Sequence, residues 1–215
     1  MQKVFTNKRK LMRHKLTHGI LFFLSILTVQ CTETETERKQ DGLVAGPEKN
    51  SYGGFENQQE WGEHLVIIAG CNDCHTPKRM TNMGPVLDSS RWLSGHPAKM
   101  PRIDVNRKEL ESKGLVTTLD LTEWAGPWGV SFTANLTPHE TGIGNWTEAQ
   151  FMLAIREGKY KGLASSRQLL PPMPWEMYRH MTDDELKAIF AYLKSIKPVE
   201  NLVPPPLSPI GEAKG

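Results

Sequence analysis

Residues 71–75 read Cys71-Asn72-Asp73-Cys74-His75, and the rest of the sequence is best understood outward from this C-x-x-C-H pentad. The two thiols lie three positions apart, so one turn of chain can bring both to the same edge of a flat cofactor. The imidazole of the next residue then approaches the centre of that cofactor from the same side. This spacing is the attachment pattern of a c-type haem, in which each thiol forms a thioether with one vinyl group. The pentad occurs once and predicts one covalent haem, with His75 as the proximal iron ligand.

Three other chemistries use parts of the same pattern. A thioredoxin-like dithiol also has the spacing C-x-x-C, but it lies at a strand-to-helix junction, whereas this pentad follows a helical pattern. A structural zinc site needs four ligands, and the remaining cysteine, Cys31, supplies no second pair. A disulfide between Cys71 and Cys74 would leave His75 without a role. The pentad therefore favours haem attachment over each alternative.

The first thirty residues have the composition of an export signal. Residues 1–18 carry six Lys or Arg and no acid, and residues 19–29 (GILFFLSILTV) are apolar except for one Ser and one Thr. This run is too short to span a bilayer and matches the core of a secretory signal. We therefore expect residues 1–30 to be a signal peptide and the protein to be periplasmic. Haem attachment to C-x-x-C-H takes place outside the cytoplasmic membrane, so the two predictions agree.

Cys31 follows the apolar run directly, where a lipoprotein signal places the cysteine that is lipidated. Lipidation would anchor the exported protein to a membrane; cleavage at a plain site nearby is the alternative. Residues 31–58 are polar and poor in large apolar side chains, which predicts a flexible tether. Without residues 1–30 the chain has 20 Lys and Arg against 24 Asp and Glu, a formal charge of −4. Nothing in this balance indicates a nucleic-acid partner.

Residues 59–70 form the first of two amphipathic helical patterns. Trp61, Leu65 and Ile68 recur at helical spacing and predict the buried face, and Gly70 ends the pattern just before the pentad. A helix that runs directly into C-x-x-C-H would present both thiols at its end.

The second helical pattern begins with Thr182-Asp183-Asp184-Glu185, which has the spacing of a capping box. Four apolar residues then recur at helical spacing, with Tyr192 between them: Leu186, Ile189, Phe190 and Leu193. The pattern ends at Lys197-Pro198. These boundaries predict one domain over residues 59–198. The prolines of residues 199–215 predict an extended tail that either lies along the domain or hangs free.

Two terminal helices on either side of a haem attachment site are the arrangement of class I cytochromes c. The sequence therefore predicts an all-α class I cytochrome c fold around one covalent haem. In that fold the first and last helices cross where a glycine of one meets an aromatic residue of the other. Gly62 is the candidate glycine, and Tyr192 or Phe190 is the candidate aromatic residue.

An electron carrier with a low-spin haem needs a sixth iron ligand, and methionine opposite histidine is the pairing that raises the reduction potential. Met173 lies in Leu170-Pro171-Pro172-Met173-Pro174-Trp175, where prolines on both sides exclude helix and stiffen the loop. A soft thioether on a rigid segment just before the last helix suits a distal ligand. Met173 is the preferred candidate, and the alternatives are Met177, Met181, Met100 and His96.

Four segments of this sequence resemble cytochrome c family proteins of bacterial periplasms: CNDCHTPKRM (71–80), LSGHPA (93–98), ANLTPHETGIGNWTEAQFMLAIREGK (134–159) and LPPMPWEMYRHMTDDELKAIFAYLKSIKPV (170–199). The C-terminal pattern is similar to that of cytochrome c subunits of membrane-bound dehydrogenases. The resemblance implies an electron-transfer role. It also implies that Cys71 and Cys74 attach the haem, that His75 is the proximal iron ligand and that Met173 is the distal one. Such subunits often hold several haems, whereas the single pentad favours a monohaem carrier.

The spacing between His75 and Met173 is longer than a minimal cytochrome needs, so residues 99–131 are expected to form a long inserted loop over one side of the haem. Asn135, Thr137 and Trp146 are candidates either to bind the haem propionates or to shape local turns.

The prediction is a one-electron carrier with a protein redox partner, such as a dehydrogenase, an oxidase or another cytochrome. It has no catalytic residue of its own, although it can be a subunit of an oxidoreductase complex. The alternative is a haem sensor or peroxidase-like enzyme with an open sixth iron position, which would need a distal His or Arg; His96, Arg156 and Arg167 are the side chains available.

Overall fold

The computed structural model describes residues 51–102, 106–114 and 116–210. The predicted signal peptide (1–30), Cys31 and the tether as far as residue 50 lie outside these described residues. Within them, no helix combines the length and the apolar character needed to cross a bilayer.

The described elements, in chain order, are α1 (Gln58–Ile68), α2 (Cys71–His75), β1 (Lys78–Thr81), β2 (Gly84–Leu87), a 3-10 turn (Ser89–Arg91), α3 (Arg107–Ser112), β3 (Val116–Thr117), β4 (Glu123–Gly126), β5 (Gly129–Phe132), α4 (Glu148–Arg156), a second 3-10 turn (Tyr160–Gly162), α5 (Trp175–Tyr178) and α6 (Asp183–Ser195).

Helix α1 begins where the side chain of Asn57 accepts a hydrogen bond from the backbone of Glu60 at 2.9 Å. It ends before Gly70, whose φ of 71° suits a residue without a Cβ. Its buried face is formed by Gly62, Leu65 and Val66, and Ile68 is 63% exposed. The prediction that Ile68 faces the core is wrong, because its side chain is about 120° away, around the helix axis, from Gly62, which is the point of contact with α6.

Helix α6 begins with the predicted capping box. The backbone of Glu185 donates to Thr182 Oγ1 at 3.2 Å, and the backbone of Thr182 donates to Glu185 Oε2 at 2.6 Å. A Cβ built on Gly62 would lie 2.0 Å from the carbonyl oxygen of Ala188 and 2.8 Å from Cβ of Tyr192. The close approach of the first and last helices at Gly62 is therefore confirmed, with Tyr192 rather than Phe190 as the aromatic partner.

One apolar core joins α1, α4 and α6. Its buried members are Leu65, Val66, Leu93, Ile143, Phe151, Ile155, Leu186, Ala188, Ile189, Tyr192 and Leu193. Met152 of α4 is partly buried and packs against this core. Trp92, which follows the first 3-10 turn, is attached to α6, because its Nε1 donates to the hydroxyl of Tyr192 at 3.0 Å.

The helical part of the prediction is confirmed, but the all-α assignment is wrong for two segments. Strands β1 and β2 pair antiparallel directly after the pentad, and β3, β4 and β5 form an antiparallel sheet in the order β3-β4-β5. This three-stranded sheet lies in the segment predicted as a long inserted loop. Glycines and two-residue connections favour these hairpins: Gly129, for example, has a φ of 94° where β4 turns into β5.

The segment 199–210 lies along the domain instead of hanging free. Val130 of β5 and Leu207 exchange two backbone hydrogen bonds of 2.9 Å. Asn201 Nδ2 donates to the carbonyls of Ser94 and His96 at 2.7 and 2.9 Å, and its Oδ1 accepts from the backbone of Ala98 at 2.9 Å. The tail is thereby attached both to strand β5 and to the loop of residues 94–98.

Candidate cofactor site

A cavity of about 450 Å³ lies beside the C-x-x-C-H pentad. Cys71, Cys74, His75 and Met173, the four residues singled out from the sequence, all line it. Much of the remaining wall comes from apolar core side chains: Val66, Ile143, Phe151, Ile155, Leu186, Ile189 and Leu193. Its size and its lining are those of a site for a largely apolar ligand with a few polar anchors.

Helix α2 holds the two thiols. Gly70 turns the chain out of α1 so that Cys71 begins α2 at once, and Cys71 and Cys74 fall on one turn as free thiols. Burial raises the pKa of the Cys71 thiol to about 11. Burial, and then the neighbouring Asp73 carboxylate, also raise the pKa of Cys74. Both side chains are therefore neutral thiols at pH 7, in an environment that does not favour a thiolate.

His75 is buried at the end of α2. Its Nδ1 lies 2.8 Å from the carbonyl oxygen of Ala134, and burial lowers the pKa of the imidazole. The ring is therefore neutral at pH 7, and Nδ1 carries the hydrogen that it donates to the carbonyl. This leaves the lone pair of Nε2 available to a metal, an arrangement in which a backbone carbonyl fixes the tautomer of the ligand.

Two methionines, Met173 and Met181, line the cavity. Met177 is 70% exposed, and Met100 and His96 are not among the lining residues. His96 is buried elsewhere, with its Nδ1 2.9 Å from the hydroxyl of Thr122. The geometry thus reduces the candidates for a second soft ligand to the two methionines, and it does not choose between them.

Asn135, which lines the cavity, and Thr137 form a hydrogen-bonded turn that binds the tail. Asn135 Oδ1 accepts from the backbone and the hydroxyl of Thr137 at 2.9 and 2.8 Å, and its Nδ2 donates to the carbonyl of Val199 at 2.9 Å. Their side chains thereby shape the turn and attach the tail, which favours the structural alternative stated for them. Trp146 lines the cavity and makes its contacts with the core.

Several cavity residues could not be found from the sequence. Tyr160 and Lys161 line the cavity in a short loop, where the guanidinium of Arg167, a residue named above only for the open-position alternative, lies 4.0 Å from the centre of the Tyr160 ring. Tyr178 also lines it, and its hydroxyl donates to the carbonyl of Ala69 at 2.5 Å. No spacing in the sequence connects these residues with the pentad.

The tail and the inserted segment also reach the cavity. Leu202, Val203, Pro204 and Pro206 of the tail line it, together with Trp124, Ser131, Phe132 and Thr133 from the region of β4 and β5. The run of prolines was visible in the sequence, but its contact with the site depends on the fold of the whole chain.

The residues present fit a c-type haem. The cavity combines two adjacent thiols, an imidazole with a free Nε2 and two thioether sulfurs within an apolar wall. Thr133 also lines the cavity, next to the Ala134 carbonyl that His75 binds.

No protein-family model matches the chain. It is 38% identical over 141 residues to the fructose dehydrogenase cytochrome subunit of Gluconobacter japonicus, an alignment that covers 65% of this chain and 21% of that protein. It is 34% identical over 91 residues to the gluconate 2-dehydrogenase cytochrome c subunit of Pantoea cypripedii, covering 39% of this chain and 20% of the relative. With the alcohol dehydrogenase (quinone) cytochrome c subunit of Gluconacetobacter polyoxogenes it shares 37% identity over 79 residues, 36% of this chain and 16% of the relative.

The resemblance to cytochrome c subunits of dehydrogenases, stated from four segments of the sequence, is confirmed by these matches. The chain spans about a fifth or less of the length of each of these relatives.

Proposed function

We propose that this chain is a c-type cytochrome that transfers single electrons. In this proposal one haem is attached through Cys71 and Cys74, and its iron is bound by His75 and Met173. The observation that carries the proposal is the cavity itself, because residues far apart in sequence line one space with the donor types that such a cofactor requires. When bound, the haem supplies a one-electron Fe(III)/Fe(II) couple, which takes an electron from a donor and passes it to an acceptor.

The protein's own residues fix and shield the cofactor. The carbonyl of Ala134 orients the imidazole of His75. The apolar wall formed by α1, α4 and α6 excludes water from one side of the cavity. The packing of α1 against α6, directly beside the pentad, supports the assignment to the class I cytochrome c fold.

A subunit or electron-acceptor role next to a dehydrogenase is the form of this function that the relatives favour. Three of them are cytochrome subunits of dehydrogenases by name. The chain covers only a small share of each relative and has a single C-x-x-C-H pentad. We therefore propose a monohaem module that receives electrons from a dehydrogenase and carries no catalytic site of its own.

Export to the periplasm and lipid anchoring through Cys31 complete the proposal. The order of basic, apolar and cysteine residues in 1–31 supports them. Replacing Cys31 by Ser in the full chain should move the haem-containing protein from the membrane fraction to the soluble periplasmic fraction. Unchanged membrane association would contradict the lipid anchor and leave the electron-transfer function untouched.

The alternative of an open sixth iron position receives little support from the side chains that it requires. His96 is engaged by Thr122, and Arg156 donates to Asp183 at 2.6 Å. Of the three residues considered, Arg167 alone lines the cavity. A distal His and Arg are thus not brought together at the site.

The absorption spectrum of the purified oxidised protein tests both the cofactor and its ligands. We expect a low-spin spectrum with a weak thioether-to-iron charge-transfer band in the far red, and pigment that stays with the polypeptide in acidified acetone. Met173→Ala should abolish the band, whereas Met181→Ala, the matched variant at the other cavity methionine, should retain it. Loss of the band in Met181→Ala alone would assign the ligand to Met181, and extractable pigment would refute covalent attachment.

A further inference from the structure

The loop that carries Met173 has few hydrogen bonds with which to hold its position. Three of the five residues in Leu170–Pro174 are prolines, which lack a backbone N–H. The backbone of Met173 donates to the carbonyl of Leu170 at 3.3 Å, and its own carbonyl accepts from Trp175 at 2.9 Å. Both bonds are local, so neither fixes the loop relative to the cavity.

A hydrogen bond from Ser131, the last residue of the inserted segment 99–131, fixes the Met173 loop relative to the cavity. Ser131 Oγ lies 2.6 Å from the carbonyl oxygen of Pro171, two residues before Met173. Among the described residues, this is the hydrogen bond that joins Leu170–Pro174 to a distant part of the chain. Ser131 is buried and itself lines the cavity.

Trp128 gives this bond its direction. Trp128 Nε1 lies 3.2 Å from Ser131 Oγ, and an indole nitrogen can only donate. The serine oxygen therefore accepts from Trp128, and its single hydrogen is free to be donated to Pro171. The chain Trp128–Ser131–Pro171 has one consistent set of donors and acceptors.

Strand β5, which carries Ser131, is held on both edges. On one side Ser131 pairs with Trp124 of β4, and on the other the neighbouring Val130 exchanges two backbone hydrogen bonds of 2.9 Å with Leu207. A side chain on a strand held in this way has a better defined position than one on a free loop.

We propose that Ser131 is a positioning residue that holds the Met173 loop at the cavity, and that this is a function of the inserted segment. The inference rests on the proposed role of Met173 as the distal iron ligand. Without the serine hydroxyl, the carbonyl of Pro171 and the indole N–H of Trp128 both lose their partner, and Met173 leaves the iron more readily.

The test is the rate at which added imidazole displaces the sixth ligand in the oxidised holoprotein. We expect Ser131→Ala to raise this rate about tenfold, the factor that corresponds to the loss of roughly one hydrogen bond. The far-red thioether band should weaken in parallel. Ser131→Thr, which keeps a hydroxyl, should restore most of the wild-type rate.

Ser195→Ala is the matched control, because Ser195 Oγ also bonds a carbonyl, that of Tyr192 at 2.8 Å, but does not touch the Met173 loop. It should leave imidazole exchange unchanged. A purely structural role for Ser131 would lower the unfolding temperature without changing exchange, and this result would overturn the inference. If the band is present in the wild type and lost in Met173→Ala, the proposed function holds even when Ser131→Ala behaves like the wild type.

Discussion

The two sides of the cavity are built by different interactions. On one side, α1 and α6 approach each other at Gly62 and bury Leu65, Val66 and Leu193 in one apolar core. On the other side, the inserted strands and the segment 199–210 are joined largely by directional hydrogen bonds, most of them between residues far apart in sequence.

This difference assigns different tasks to the two sides. Apolar burial supplies free energy roughly in proportion to area and has little directional preference, so the helical side provides most of the stability. Hydrogen bonds add little net free energy but specify position, so the strand-and-tail side determines where the cavity wall lies. We therefore expect variants of the helical side to affect unfolding most, and variants of the other side to affect access to the site.

The largest effect is expected from Gly62→Ala. In an exposed helix this change would be favourable by about 1 kcal/mol. Here the new Cβ would lie 2.0 Å from the backbone carbonyl oxygen of Ala188, so the two helices must separate. We expect a net loss of about 2 kcal/mol or more in the free energy of unfolding, measured by urea denaturation.

Ile67→Ala on the same helix is the control, because Ile67 is 50% exposed and should cost less than about 1 kcal/mol. Equal losses of unfolding free energy in the two variants would show that the contact between α1 and α6 at Gly62 contributes no more to stability than an exposed position does.

A smaller and qualitatively different effect is expected from Asn201→Ala. The change removes the partners of the Ser94 and His96 carbonyls and of the Ala98 N–H. We expect a loss of about 1–3 kcal/mol at the tail, seen as faster proteolysis within residues 199–210 and faster entry of small ligands to the cavity. Asn82→Ala, at an exposed turn between β1 and β2, should change neither. A lower global stability without faster cleavage of the tail would contradict the assignment of stability to the helical side and of positioning to the strand-and-tail side.

The smallest effect concerns Asp88, which lies just before the 3-10 turn that leads to Trp92. Hydrogen bonds from Ser90, and also from Arg91, hold the pKa of the Asp88 carboxyl below its ordinary value of 3.8. A carboxyl with a lower pKa in the folded state stabilises that state above its unfolded pKa and loses this contribution as the pH falls through the folded value. The difference in unfolding free energy between wild type and Asp88→Asn should therefore be constant at neutral pH and shrink progressively as the pH falls below 3.8 toward the lower pKa of the folded state. A difference that persists in acid would show that the charge of Asp88 is not its source.

The helical side could be predicted because its signals are local. Thr182 and Glu185 form the capping box that their spacing indicated, and Gly70 ends the first helix beside the pentad. The error at Ile68 arose because periodicity shows that a helix has two faces, whereas the contact at Gly62 determines which one is buried. Cys71, Cys74 and His75 could be singled out because their chemistry is contained in five consecutive residues.

The other side could not be predicted because its contacts are distant in sequence. Nothing near Ala134 indicates that its carbonyl binds His75, and nothing near Ser131 indicates that its hydroxyl reaches Pro171. Asn201 gave no signal beyond being a polar residue among prolines. Such contacts depend on the tertiary fold of the whole chain, and local sequence periodicity does not determine that fold.

The wall supplied by the tail has a consequence for how a cofactor would reach the two thiols of α2. Residues 202–206 follow Cys74 by well over a hundred positions, so the thiols are synthesised long before that wall can form. If the helices form before the tail docks, the part of the cavity wall that residues 202–206 supply is missing at that stage. A flat cofactor would then reach Cys71 and Cys74 from the side that the tail covers later, and docking of residues 202–206 would complete the wall.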